Sequence, residues 1–202
     1  METKHLVMPD NHMDNLYLSK NPLIKNIHIK RVKNAISFIP KNAKVICDIG
    51  CGEGHLLSLI NVPGRKLYGI DILPNVVLEA RKKVPNATIL IGDAEHLQFK
   101  DNLFDATVCL DVLEHASNWR AIVNEILRLT KPGGSMILGW PNDENWNLAR
   151  KFIGKGPVPD HINILTPRIV RQAINRSPKN VKLIPCNLPW QLCLTTQEHF
   201  IK

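Results

Sequence analysis

Residues 45–54, Val-Ile-Cys-Asp-Ile-Gly-Cys-Gly-Glu-Gly, constrain this chain more than any other stretch. The apolar run Val45, Ile46 and Cys47 reads as a buried strand. It ends in an acid, Asp48, followed by glycines at three alternate positions, Gly50, Gly52 and Gly54. Glycines at the carboxyl end of a buried strand let the backbone pass close to a ligand before a helix begins. Spacing then selects the ligand. A dinucleotide fingerprint, Gly-x-Gly-x-x-Gly, needs glycine where His55 stands, so a nicotinamide oxidoreductase is disfavoured.

The chain around this loop alternates strands and helices. Ile29, Val32, Ile36 and Ile39 form the apolar stripe of an amphipathic helix over about 23–39. Strands are expected at 44–48, 66–70, 88–91, 105–110 and 135–140. Helices follow the glycine loop (Leu56, Leu57, Leu59), open at Pro74, and carry Ile122, Val123, Ile126 and Leu127. Lys131-Pro132-Gly133-Gly134 reads as the turn that stops the third of these. Thr166-Pro167 reads as the cap of a last helix, and 180–185 and 192–196 as closing strands. This order predicts an α/β fold: a doubly wound, mostly parallel sheet with helices on both faces and ligands at the strands' carboxyl ends.

Composition excludes several classes. At 202 residues, 44% hydrophobic and 22% charged, the chain matches one globular domain. No apolar stretch approaches the ~20 residues of a membrane span, and residues 1–15 hold no signal-like apolar run. The five cysteines are odd in number and contain no Cys-x-x-Cys, which points to reduced thiols, a cytoplasmic location and no structural zinc. Part of the +8 charge lies at Lys20, Lys25, Lys30, Arg31, Lys33, Lys41 and Lys44. Such a face can attract phosphates, but a solvated helix with lysine stems over apolar surface is the simpler reading.

Successive strand ends carry acids behind the glycine loop: Asp48, Asp71 and Asp93, then Leu110 and Asp111. Asp71 is placed to accept two ribose hydroxyls, and Asp93 an exocyclic adenine amine. A lone acid after a strand is usually a helix cap, whereas three in succession suggest a nucleoside site. DIGCGEG, YGIDI, IGDAEHL, FDATVCLDVLEH, KPGG and WPN occur in an order that resembles the class I S-adenosylmethionine (SAM) dependent methyltransferases, over about residues 40–176. LDVLEH, KPGG, WPN and DHINILTPRIV resemble the group with ubiquinone-pathway-type and other small-molecule enzymes. Trp140 stands where that group has valine, and the region after Asn175 is short.

The resemblance implies a Rossmann-like methyltransferase domain at 41–202, with 1–40 as an amino-terminal extension and helix acting as lid or cap. It implies SAM as cofactor, held by Asp48, Gly50, Cys51, Gly52, Gly54, Asp71, Ile72, Asp93, Ala94 and Leu110. Methyl transfer is an in-line displacement that needs alignment, and a base only when the acceptor carries a proton. Asp111, His115 and His161 are the catalytic candidates. Asp111, Glu114 and His115 would share one face of a short helix. In ubiquinone-type and small-RNA 2′-O-methyltransferases a similar acid-x-x-Glu-His helps bind a divalent ion, with a downstream histidine in the latter. Capping and packing by Glu114 and His115 is the simpler expectation, and no metal ligands are assigned.

Trp119, Trp140 and Trp146 either line an acceptor pocket or fill core, and His55 is expected at the surface. Neither an Asp-Pro-Pro-Tyr-type motif nor Pro-Cys follows strand four, against amino- and cytosine-C5-methylating nucleic-acid enzymes. The expected function is methyl transfer to an O or N atom of a small-molecule acceptor. The alternatives are an RNA 2′-O-methyltransferase, with nucleic acid not favoured, and a non-catalytic SAM-binding subunit. No membrane span is expected, and the sequence sets no oligomeric state.

Overall fold

The computed structural model describes residues 22–141, 151, 161–174, 181–185 and 191–197. In chain order the elements are α1 (Pro22–Ser37), β1 (Val45–Ile49), α2 (His55–Ile60), β2 (Lys66–Asp71), α3 (Pro74–Lys83), β3 (Thr88–Ile91) and β4 (Phe104–Leu110). Then come α4 (Trp119–Leu129), β5 (Thr130–Pro141), α5 (Pro167–Ala173), β6 (Val181–Pro185) and β7 (Gln191–Gln197). The sheet order is β3-β2-β1-β4-β5-β7-β6. The first five strands run parallel; β7 is antiparallel to β5 and β6 antiparallel to β7.

Side chains of the central strands alternate between two cores, which makes the sheet doubly wound. Ile46, Ala106, Val108 and Ile137 face Val32 and Ala35 of α1, Leu57 of α2 and Val77 and Ala80 of α3. Cys47, Ile49, Cys109 and Leu138 face Ile122, Val123 and Ile126 of α4 and Val170 of α5. Strands buried on both faces therefore read as near-continuous apolar runs. The outermost parallel strand, β3, has its Ile89 carbonyl capped by Arg81 Nε and Nη2 at 3.0 and 2.8 Å, one way to blunt a sheet edge. Among the described residues no helix is long and apolar enough to cross a membrane.

Two expectations need correction. Lys131–Gly134 does not form a turn before the strand: β5 begins at Thr130, directly after α4. Thr130 pairs with Phe104, and the register then shifts so that Ser135 pairs with Ala106. The proline and glycines are absorbed as a bulge, fastened by Lys131 Nζ to Asp105 Oδ1 at 2.7 Å. Second, residues 111–117 form turns and bends, and the helix starts only at Trp119. Asn118 caps it, its side chain accepting from Ala121 N at 3.2 Å.

Candidate active site

The glycine loop is shaped by backbone that only glycine adopts readily. Gly50, Gly52 and Gly54 have φ of +75°, +50° and +76°. Gly50 N and Cys51 N both donate to the Ile70 carbonyl, at 2.8 and 2.9 Å, which ties the loop to the end of β2. Asp71 completes the tie: Oδ2 accepts from Gly52 N at 2.8 Å and Oδ1 from Leu73 N at 3.0 Å. A carboxylate has about four acceptor positions, so Asp71 keeps capacity for ligand hydroxyls. Cys51 is buried, and a Cβ on Gly69 would lie 2.9 Å from its sulfur, so this thiol packs against β2 while its backbone shapes the loop.

Asp48 is buried at the end of β1. Its carboxyl is pushed up to about 7, first by burial and then by the negative charge of Asp71. Burial also raises Asp71, against the hydrogen bonds from Leu73, Gly52 and Ile72 that lower it. Two desolvated, mutually repelling acids favour a cationic group between or beside them. A nucleoside bearing a cationic sulfur fits this donor set: hydroxyls at Asp71 and positive charge near Asp48. Ile72 is exposed beside Asp71, offering an apolar surface to a base. Asp93 is half-exposed, its Oδ1 accepting from Glu95 N at 2.9 Å, with Ala94 partly buried against the α4-side core. Leu110 is partly buried on the opposite side of the sheet.

The expected face of Asp111, Glu114 and His115 does not form, because no helix spans it. Asp111 has a left-handed φ of +54°, and its carboxylate pairs with the Arg31 guanidinium of α1. Glu114, His115 and His161 come together instead, with ligand-type atoms all within 4.8 Å of one another. The imidazoles of His115 and His161 meet edge to face, 5.1 Å between centroids. The strand-four turn holds the distant segment by backbone and amide bonds. Ile162 N and Asn163 N donate to the Glu114 carbonyl at 2.9 and 3.1 Å. Asn163 Nδ2 donates to the Leu113 and Ala116 carbonyls at 3.0 and 2.7 Å. This donor set suits a divalent ion as well as a proton-accepting imidazole.

Sequence reasoning placed Arg31 on a solvated face, yet it is 4% exposed and reaches the site. It gave Asn163 no role at all. An arginine one helical turn before Ala35 was the available signal for the first, and the place of Asn163 in the DHINILTPRIV stretch for the second. Trp140 and Trp119 are core, with Trp140 Nε1 donating to the Leu165 carbonyl at 3.1 Å. His55 is only partly exposed, lying 3.4 Å from Glu53 Oε2 and 3.2 Å from Lys83 Nζ. Trp146 and residues 1–21 lie outside the described residues.

Comparison with known proteins agrees with this geometry. Residues 47–138 match the family described as "Methyltransferase domain". An uncharacterised methyltransferase of Mycobacterium tuberculosis is 29% identical over 135 residues, 64% of this chain and 55% of that protein. The ubiquinone biosynthesis O-methyltransferase of Dechloromonas aromatica is 32% identical over 127 residues, 59% of this chain and 52% of that protein. The chain thus spans about half the length of these relatives. Magnesium protoporphyrin IX methyltransferase from Synechocystis, solved with bound SAH, superposes with a TM-score of 0.70 at 20% identity, covering 92% of each chain. A protein of Pyrococcus horikoshii gives a TM-score of 0.73 at 19% identity, over 91% of this chain and 95% of that one. The likeness to a methyltransferase domain thus spans residues 47–138, and around it the chain is similar to SAM-dependent methyltransferases.

Proposed function

We propose that this chain binds SAM and transfers its methyl group to an oxygen or nitrogen of a small-molecule acceptor in the cytoplasm. One observation carries the reading: the Gly50–Gly54 loop, Asp48 and Asp71 sit at adjacent strand ends, while the His115–His161 pair stands beyond the end of neighbouring β4. The similarity to a ubiquinone biosynthesis O-methyltransferase supports an oxygen acceptor. Three buried free thiols, Cys47, Cys51 and Cys109, support a reducing compartment.

The cofactor supplies an activated methyl on sulfur. Asp71 binds the ribose, the glycine backbone shapes the cofactor pocket, and buried Asp48 places negative charge where a cation is held. An imidazole at His115 or His161 takes the acceptor's proton as the new bond forms. Asp111, engaged by Arg31, is the weaker candidate for that role. The test is transfer of labelled methyl from SAM by purified protein into a fractionated cell extract, with and without RNase. Label in a small-molecule fraction, indifferent to RNase, is the expected result; none from a protein that fails to bind SAM would sink the proposal. Asp71→Asn, which keeps one acceptor oxygen, is expected to weaken SAM binding by about tenfold in calorimetry.

The Glu114–His115–His161 trio favours a second reading, metal-assisted transfer to a hydroxyl, including a ribose 2′-hydroxyl of RNA. The three residues would hold a divalent ion, which would acidify the hydroxyl. That reading predicts loss of transfer in chelator, recovery with Mg²⁺ or Mn²⁺, and label in an RNase-sensitive fraction. Transfer unchanged by chelator rejects the metal-assisted form.

A further inference from the structure

The segment from Asp93 to Asn102 joins β3 to β4 without a helix or strand of its own, yet it is fastened along its length to α4. Glu125 Oε2 accepts from Leu97 N at 3.0 Å, and Arg128 Nη2 donates to the Leu97 carbonyl at 2.8 Å. Arg128 Nη1 donates to the Phe99 carbonyl and to Asp101 Oδ1, both at 2.7 Å. The two side chains also grip each other, Nε to Oε1 at 2.9 Å and Nη2 to Oε2 at 2.6 Å. Nearer the start of the segment, Glu95 Oε1 accepts from Ser117 Oγ and from Asn118 N, both at 2.8 Å, just before α4 begins.

An ion pair one helical turn apart, 30% and 18% exposed, stabilises a helix little by itself. Helix α4 does not depend on it, since Ile122, Val123 and Ile126 already bury its inner face. What the pair holds is the segment, because a guanidinium presents its donors in one rigid plane that reaches both carbonyls and both acids together. Asp93 stands at the head of that segment. Its Oδ1 accepts from Glu95 N at 2.9 Å, and the carboxylate is half-exposed with acceptor capacity to spare. We propose that Glu125 and Arg128, with Glu95 at the near end, are positioning residues for recognition of the cofactor's base. They fix the segment so that the Asp93 carboxylate meets the exocyclic amine of adenine, and they act through the backbone without touching the base. Selectivity for adenine over a base with a carbonyl at that position is thereby set from α4. The proposal rests on the reading of the site as SAM-binding, with Asp93 as the acceptor for the base, and adds what holds that acceptor in place.

Calorimetry of the full chain with S-adenosylhomocysteine (SAH) and with S-inosylhomocysteine, which carries a carbonyl in place of the adenine amine, tests it. Wild type is expected to prefer SAH by about tenfold or more, the worth of a hydrogen bond to a carboxylate. Arg128→Met keeps an apolar stem without the donors and should cut that preference to within about threefold, chiefly by weakening SAH. Arg128→Lys should recover little of it, since an ammonium cannot span the same set of acceptors. Glu125→Gln should retain most of it, because an amide oxygen still accepts from Leu97 N. Glu95→Ala breaks the near tie and leaves the pair intact. It should lower the preference as well, and it carries the test alone if Arg128→Met does not fold. Equal losses for both ligands, or a preference unchanged in Arg128→Met and Glu95→Ala, would overturn the proposal. So would a wild type that binds both ligands equally, whereas one that binds neither would overturn the SAM reading beneath it.

Discussion

Gly50→Ala is expected to abolish measurable SAH binding and to lower the thermal midpoint by about 10 °C. Two costs combine. The backbone at position 50 has φ of +75°, which disfavours any side chain by about 1–2 kcal/mol. The added methyl would also lie 2.1 Å from Val112 Cγ2, and overpacking of this kind costs about 1–3 kcal/mol. Valine is stiff about χ1, so it has little freedom to rotate away. The loop must move instead, and with it Gly50 N and Cys51 N, which are both bonded to the Ile70 carbonyl. Pairing the change with Val112→Ala separates the terms. The double variant should recover part of the melting temperature and keep the left-handed strain. A single variant that melts and binds SAH like wild type would refute this account of the loop.

The order of strands and helices was legible because local rules and tertiary packing agree. Pro74 opens α3, Thr166 caps α5, and every parallel strand is an apolar run ending near a glycine or an acid. The glycine loop and Asp71 were legible for the same reason: their partners lie within one βαβ unit. What failed was local geometry inferred from spacing. Asp111, Glu114 and His115 share a face only if a helix runs through them, and the left-handed Asp111 shows that none does. What was invisible depends on distant contacts. Arg31 meets Asp111 across 80 residues, and Asn163 bonds to Leu113 and Ala116 across about fifty. No motif marks Arg31, and the DHINILTPRIV stretch that contains Asn163 does not tell which backbone its amide meets. Amphipathic periodicity gives the face that a side chain occupies, not the group that waits opposite.

Asp48→Asn is expected to stabilise the ligand-free protein at and above neutral pH and to flatten its stability between about pH 4 and 7. Burial first, and the charge of Asp71 second, raise the Asp48 carboxyl from 3.8 to about 7. Across that interval the folded protein holds a proton that the unfolded chain has released. Stability therefore falls as pH rises through the interval and levels off above it. At about 1.4 kcal/mol per pH unit, the ionised acid costs the ligand-free fold a few kcal/mol at neutral pH. Asparagine removes the charge with little change of shape, and urea unfolding as a function of pH reads the difference.

If SAM binds as proposed, the same acid should give its binding a pH dependence of opposite sense. A cationic sulfonium favours ionised Asp48, so SAM binding should release a proton and tighten as pH rises through about 7. SAH, whose sulfur is neutral, should respond less, and the SAM-to-SAH affinity ratio should rise by several-fold between about pH 6 and 8. Asp48→Asn should hold that ratio constant. If the ratio is already flat in wild type, Asp48 does not sense the sulfur's charge. A cost in apo stability that turns into selectivity for the charged cofactor would explain why the fold tolerates a buried carboxylate beside Asp71.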